Sequence, residues 1–365
     1  MLSLQQDELG SSAAADRLRS VRLAAYGVYA AALVGIVIHW GIPTGRASLA
    51  SIIVSGLAIT SIGRGWRQTR QVLVDWLPFT AVLMLYDQTR GVADSLGIRV
   101  HEADILAAEK WTFGGAEPSV WLQQHLYSPT HVRWYDALCT LVYTSFFIAT
   151  PVLAAVLWLR DRVAWIGFIS RVIVLSVAGL ITYCLFPEAP PWLAARDGLS
   201  APVARLSARG WEWFHLGNVN TALAAAQHEG VNAVAAMPSL HTAFSTLVAL
   251  TIAGRLRSRL RWLLALYPLA MGFTLVYTGE HWVLDLVGGV GYALAAHAGM
   301  SRWEARRRAL TEERAGNRAE HRAEGRLENR PENGPRSGAG NDASDVRLVF
   351  GAPAVDERRA PANLR

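Results

Sequence analysis

The chain has 365 residues, of which 52% are hydrophobic and 18% charged, with two cysteines and a formal net charge of +6. Its apolar residues are gathered into runs instead of being spread at amphipathic spacing, which excludes an ordinary soluble enzyme. Its arginines fill the short connections between those runs and a long tail, which excludes a basic nucleic-acid-binding face.

A bilayer core about 30 Å thick needs roughly 20 mostly apolar residues per spanning helix. Candidate spans are 22–41, 47–63, 71–87, 134–159, 163–186, 239–256, 261–279 and 282–300. The expected fold is all-α, a polytopic membrane helical bundle of about eight transmembrane helices. The first run follows Asp16, Arg17, Arg19 and Arg22 and has no small-residue cleavage site, so it reads as an uncleaved helix. Cys139 and Cys184 fall inside spans as small buried residues and not as a disulfide or a metal pair.

Short cytoplasmic loops carry an excess of arginine. Arg64/Arg67/Arg70, Arg160/Arg162, Arg255/Arg257/Arg259/Arg261 and Arg302/Arg306/Arg307/Arg308 follow every second span, as the N-terminal arginines precede the first. That pattern places both termini in the cytoplasm and puts 42–46, 88–133, 187–238 and the 279–282 turn on the extracytoplasmic face; the expected location is the plasma membrane. Residues 1–20 form the cytoplasmic N-terminus, 21–70 the N-terminal transmembrane helices and 71–300 a catalytic membrane domain. Within 95–133, Trp111, Phe113, Trp121, Leu122 and Leu126 among polar residues suit helices lying at the membrane surface. Three prolines in Pro187-Glu188-Ala189-Pro190-Pro191-Trp192 forbid a continuing helix after the fifth span. From Ser301 the composition cannot bury a core, so 301–365 is expected to be a disordered, charged cytoplasmic tail, with near-helical Arg/Glu spacing over 301–328.

Two motifs carry chemistry. In Met237-Pro238-Ser239-Leu240-His241 a proline opens a helix, where its missing N–H costs nothing. The first-turn amides, with the Ser239 hydroxyl and the Leu240 backbone, make a candidate phosphate site at the positive end of the helix dipole. In His281-Trp282-Val283-Leu284-Asp285 the two functional groups are four residues apart. On a helix they would share a face, with the Asp285 carboxylate holding one imidazole nitrogen and the other aimed at substrate. A carboxylate one turn inside a span is costly unless paired, which marks it as functional.

Two crossings bring His281 and Asp285 back to the membrane face where His241 begins. This arrangement suits phosphoryl transfer: His281 attacks phosphorus, Asp285 orients it, and His241 protonates the leaving oxygen. No nucleotide-binding glycine loop and no His-Glu-x-x-His spacing occur, so neither cofactor nor metal is expected.

Met237–His241 and His281–Asp285 resemble the second and third signature motifs of the type 2 phosphatidic acid phosphatase superfamily. Pro-Ser-Leu-His instead of Pro-Ser-Gly-His, with Phe186-Pro187-Glu188-Ala189-Pro190-Pro191-Trp192 upstream, resembles its inositol phosphorylceramide synthase branch, that of the aureobasidin A resistance protein. The resemblance spans roughly residues 70–300. It implies a six-helix core, metal-independent chemistry, a phosphohistidine at His281 and His241 as the acid for the leaving alcohol.

The chain departs from the superfamily's pattern in two places. No Lys-x6-Arg-Pro motif occurs, and Leu275 stands where an arginine six residues before the nucleophile is usual. Arg90, in Tyr86-Asp87-Gln88-Thr89-Arg90-Gly91-Val92-Ala93-Asp94, is the candidate substitute for phosphate binding. Tyr86, Asp87, Asp94 and Lys110 are candidates for substrate binding. The expected function is phosphotransfer from a lipid-linked phosphate, such as a phospholipid or polyprenyl phosphate, with phosphoinositol as a candidate transferred group and inositol or another alcohol as acceptor. Hydrolysis of a lipid phosphate is the near alternative. A noncatalytic transporter or scaffold is the competing reading from another class.

Overall fold

The computed structural model describes residues 2–40, parts of 52–81, and all of 97–217 and 234–328. Helix α1 is Leu2–Trp40 and contains the first predicted span. About half of the second and of the third predicted span falls outside the described residues, and Tyr86, Asp87, Arg90 and Asp94 lie outside them altogether. Two short helices follow, α2 (Ala103–Thr112) and α3 (Pro118–Leu126), where the sequence predicts surface-lying helices. Trp111 on α2 is 87% exposed, as an aromatic ring at headgroup level would be.

Helices α4 (Trp134–Arg160) and α5 (Arg162–Leu185) are joined only by Asp161, which caps α5 by accepting a hydrogen bond from the Ala164 amide. The predicted proline break is present: α5 stops at Leu185, and α6 (Pro191–Arg196) starts with Pro191 in its first turn. A 3-10 turn, Arg209–Phe214, packs on α4. Then come α7 (Leu240–Ala253), a 3-10 segment Arg259–Ala265 running into α8 (Leu266–Tyr277), and α9 (Val283–Glu328).

Among the described residues there is no strand, only two isolated parallel bridges that tie Glu188 to His101 and to Ala235. Among the described residues, four segments are long and apolar enough to cross a membrane: Trp134–Arg160, Arg162–Leu185, Arg259–Tyr277 and the apolar part of α9. Helix α7 has 14 residues, about 21 Å at 1.5 Å per residue, and is short for a span. It is also the most enclosed helix, with ten of its residues buried. The chain is thus an all-α, polytopic, integral membrane protein.

The main core joins α4, α5, α7 and α9 through Ala154, Leu157, Leu175, Leu240, Leu247 and Ala293. The chain divides into two units, Met1–Arg307 and Arg308–Arg365. In the second, residues 308–328 are helical, and the side chains from Arg308 to Arg318 are exposed. The near-helical Arg/Glu spacing read over 301–328 lies within α9, in the stretch expected to begin a disordered tail.

Candidate active site

The turn between α8 and α9 is built by capping chemistry. Gly279 has φ +75°, a left-handed conformation that ends α8 cheaply only without a Cβ. The Glu280 amide then donates back to Leu275 O at 2.9 Å, the bond of a Schellman closure that spans more residues, while Gly279 donates to Val276 O at 3.2 Å. His281 follows immediately and lies outside any helix, since α9 begins at Val283.

The expected helical i,i+4 pairing is therefore realised differently. Asp285 acts as a first-turn carboxylate of α9: its Oδ2 accepts the Trp282 amide at 2.9 Å and lies 3.2 Å from His281 Nδ1. Asp285 is fully buried and His281 is 6% exposed.

The segment after α5 straps this turn from outside. Trp192 donates its amide to Gly279 O at 3.1 Å, and the Trp282 indole donates to Ala189 O at 2.8 Å. Glu109 of α2, also fully buried, accepts the Val283 and Leu284 amides at 2.9 and 3.3 Å, neutralising donors that open α9. Burial raises the Glu109 carboxyl above its ordinary range despite these two bonds.

On the other side, Ser239 caps α7, accepting from the Thr242 amide at 3.4 Å and the Thr242 hydroxyl at 3.3 Å. Its own amide donates to the Asp285 carbonyl at 3.0 Å. The start of α7 is thus bonded to the first turn of α9, and the two predicted motifs meet. The His241 and His281 ring centroids are 5.6 Å apart at 62°. His241 is gripped by the Tyr143 ring at 5.1 Å and the Phe146 ring at 4.2 Å, both from α4.

Beside His281 lies a pair that the sequence reading did not single out. Arg205 clamps Glu280 with two bonds, Nε to Oε1 at 2.9 Å and the second to Oε2 at 3.0 Å, and Ser207 donates to the same carboxylate at 2.6 Å. Burial pushes the Glu280 carboxyl up, but the Arg205 charge and these hydrogen bonds outweigh it, and its pKa ends lowered. The Arg205 guanidinium stacks over the Trp192 ring at 4.8 Å and also senses Tyr143, the ring that grips His241. A charged residue directly before His281 was the available signal for Glu280. Arg205 had none, being one arginine in a long loop.

Lys110 is paired with Glu117 at 2.9 Å on the surface helices. His101 pairs with Asp104 and stacks on Phe186, while Arg196 is exposed beside Asp197. An apolar groove of about 770 Å³ lies against the site, lined by Phe113, Trp121, Thr242, Phe273, Val283 and Val287 among others.

A helical membrane protein that brings two histidines and a buried aspartate together at one end of its bundle, beside an apolar groove, belongs to a recognisable class: enzymes that act on lipid phosphates. The chain is a member of the PAP2 superfamily, whose family model matches residues 103–299, the stretch holding both histidine motifs. It is a lipid phosphotransferase or phosphatase of that superfamily. It is similar to the phosphoinositol dihydroceramide synthase of Bacteroides thetaiotaomicron, with 28% identity over 240 residues, covering 62% of this chain and 75% of the relative. No solved structure matches the chain.

Proposed function

We propose that this protein transfers the phosphorylated headgroup of a phospholipid to an alcohol through a phosphohistidine at His281. The observation that carries the reading is the approach of the two imidazoles to 5.6 Å with Asp285 against the far nitrogen of one of them. With Nδ1 held by Asp285, Nε2 of His281 is the nucleophile. Its lone pair forms the N–P bond as the P–O bond to the lipid alcohol breaks, and His241 delivers its proton to that oxygen. In the second half, His241 takes the proton of the acceptor hydroxyl, whose oxygen attacks phosphorus and breaks the N–P bond. If water is the acceptor the same cycle is hydrolysis.

The phosphoryl group lies at the amino-terminal end of α7, where Ser239 and the Leu240 backbone present the positive end of the helix dipole. Arg205, held by Glu280 next to the nucleophile, is the described cation best placed to substitute for the superfamily's missing clamp arginine; Arg90 keeps its candidacy from the sequence. The apolar groove takes an acyl chain of the lipid. The similar protein's name supports phosphoinositol as the transferred group and a ceramide-type lipid as acceptor, and the arginine pattern supports a site on the extracytoplasmic side of the plasma membrane.

The test is product analysis by mass. Full-length protein in mixed micelles receives phosphatidylinositol with or without dihydroceramide. Phosphoinositol dihydroceramide and diacylglycerol are expected, and both disappear in His281→Ala. Inositol phosphate formed equally with and without the acceptor would make the protein a hydrolase, and no product at all would refute the reading.

A further inference from the structure

Glu188 is the fully buried carboxyl that the chemistry above leaves unused. Its backbone is fixed on both sides: the Glu188 amide donates to Val234 O at 2.7 Å, the Ala236 amide to Glu188 O at 3.3 Å, and the flanking residues bond to His101 at 2.8 and 3.1 Å. The Glu188 side chain meets Asp285. The two carboxyls lie within hydrogen-bonding reach of each other. Among the described residues neither oxygen of Glu188, nor Oδ1 of Asp285, meets any other donor.

Two ionised carboxylates in contact, both shut off from water, would have neither cation nor donor between them. Such a pair holds one proton. A protonated carboxyl is a donor, and it supplies the partner that Asp285 Oδ1 otherwise lacks.

We propose that Glu188 is a positioning residue of the active site, a buried carboxylic acid whose O–H donates to Oδ1 of Asp285 and so holds Oδ2 on the Trp282 amide and His281 Nδ1. The proposal rests on the reading of His281 as nucleophile. Every group facing Glu188 favours its neutral form. Burial comes first, then Asp285 from α9, then Glu109 and Asp104 from α2, and together they push its carboxyl up to about 11. His101, bonded to the backbone of the residues on either side of Glu188, has its ring against Asp104. The consequence for catalysis is a division of labour in the aspartate: one oxygen is saturated by a neutral donor, and the other stays with the imidazole.

The experiment compares wild type, Glu188→Gln and Glu188→Ala as full-length proteins in micelles. Infrared spectra at pH 8 are expected to show the carbonyl stretch of a protonated carboxylic acid in wild type and its loss in Glu188→Gln. In the phosphatidylinositol and dihydroceramide assay, Glu188→Gln, whose amide can donate to Oδ1, keeps kcat close to wild type. Glu188→Ala lowers kcat about 10- to 100-fold, the usual effect of losing an orienting partner behind a histidine, with KM unchanged. Wild-type kcat in Glu188→Ala, or absence of the carbonyl band, would overturn the proposal. So would a folded Glu188→Gln as impaired as the alanine variant. A wild type that makes no product refutes the transferase reading instead, and the carbonyl band then decides by itself whether the acid pair exists.

Discussion

Gly289→Ala tests whether the contact between α7 and α9 sets the geometry of catalysis. A Cβ at position 289 would sit 2.3 Å from the Ser239 carbonyl oxygen and 3.3 Å from the Ala243 amide nitrogen, both backbone atoms that cannot swing aside. Normal contact requires the helices to separate by about 1 Å, since carbon and oxygen do not approach much below their van der Waals distance. The separation falls on the Ser239 amide to Asp285 carbonyl bond, and so on the distance between His241 and His281. Overpacking of this kind costs about 1–3 kcal/mol of stability, whereas a displacement of about 1 Å between reacting groups lowers turnover about 100-fold. The neighbouring Gly288→Ala is the control. Its Cβ would lie 3.7 Å from Met237 and Pro238, in ordinary contact, and removing a helical glycine adds about 0.5–1 kcal/mol. Turnover of phosphatidylinositol and the melting temperature, measured on both variants in the same micelles, are expected to move in opposite directions: Gly289→Ala slower and less stable, Gly288→Ala active and slightly more stable. Equal turnover in the two variants would refute the reasoning.

His241→Ala is expected to slow a substrate with a poor alkoxide leaving group far more than an activated aryl phosphate, because only the former needs the proton; equal losses in steady-state kinetics would remove His241 as the acid. Arg205→Met leaves the Glu280 carboxylate buried without its cation and should cost about 3–5 kcal/mol, seen as a lowered melting temperature. The Glu280 pKa is lowered in the folded protein, so its contribution to stability is present above the unfolded carboxyl value and is lost as pH falls through the folded one. Melting curves from pH 7 down to pH 3 should show that loss in wild type, and Glu280→Gln should flatten it. Arg171→Met breaks a buried clamp on Glu304 and Ser301, with bonds of 2.7 to 3.1 Å. It should destabilise α9 with little effect on the KM of the surviving folded fraction.

Four of the predicted spans were legible because hydrocarbon thickness dictates their length, and the two histidine motifs because proline at a helix start and a buried acid near a histidine are local signals. The pairing of His281 with Asp285 was readable from their spacing, although the reason differs: the histidine lies in the turn, and the aspartate reaches back to it as a capping group. What could not be read were contacts between segments distant in sequence. Glu109 opens onto α9 across 174 positions and Arg205 meets Glu280 across 75. Nothing local distinguishes either residue from an exposed charge. Glu188 lay in plain view within a proline-rich break, but only the bridges to His101 and Ala235 turn it inward.

The aromatic grip on His241 also limits what the ring can do. With Tyr143 nearly parallel to it at 25° and Phe146 at 4.2 Å, the imidazole is held by packing on its ring faces. Under the proposed mechanism, donor alcohol and acceptor alcohol would come to one fixed proton post in turn, sharing a single berth instead of being served by a side chain shuttling between two.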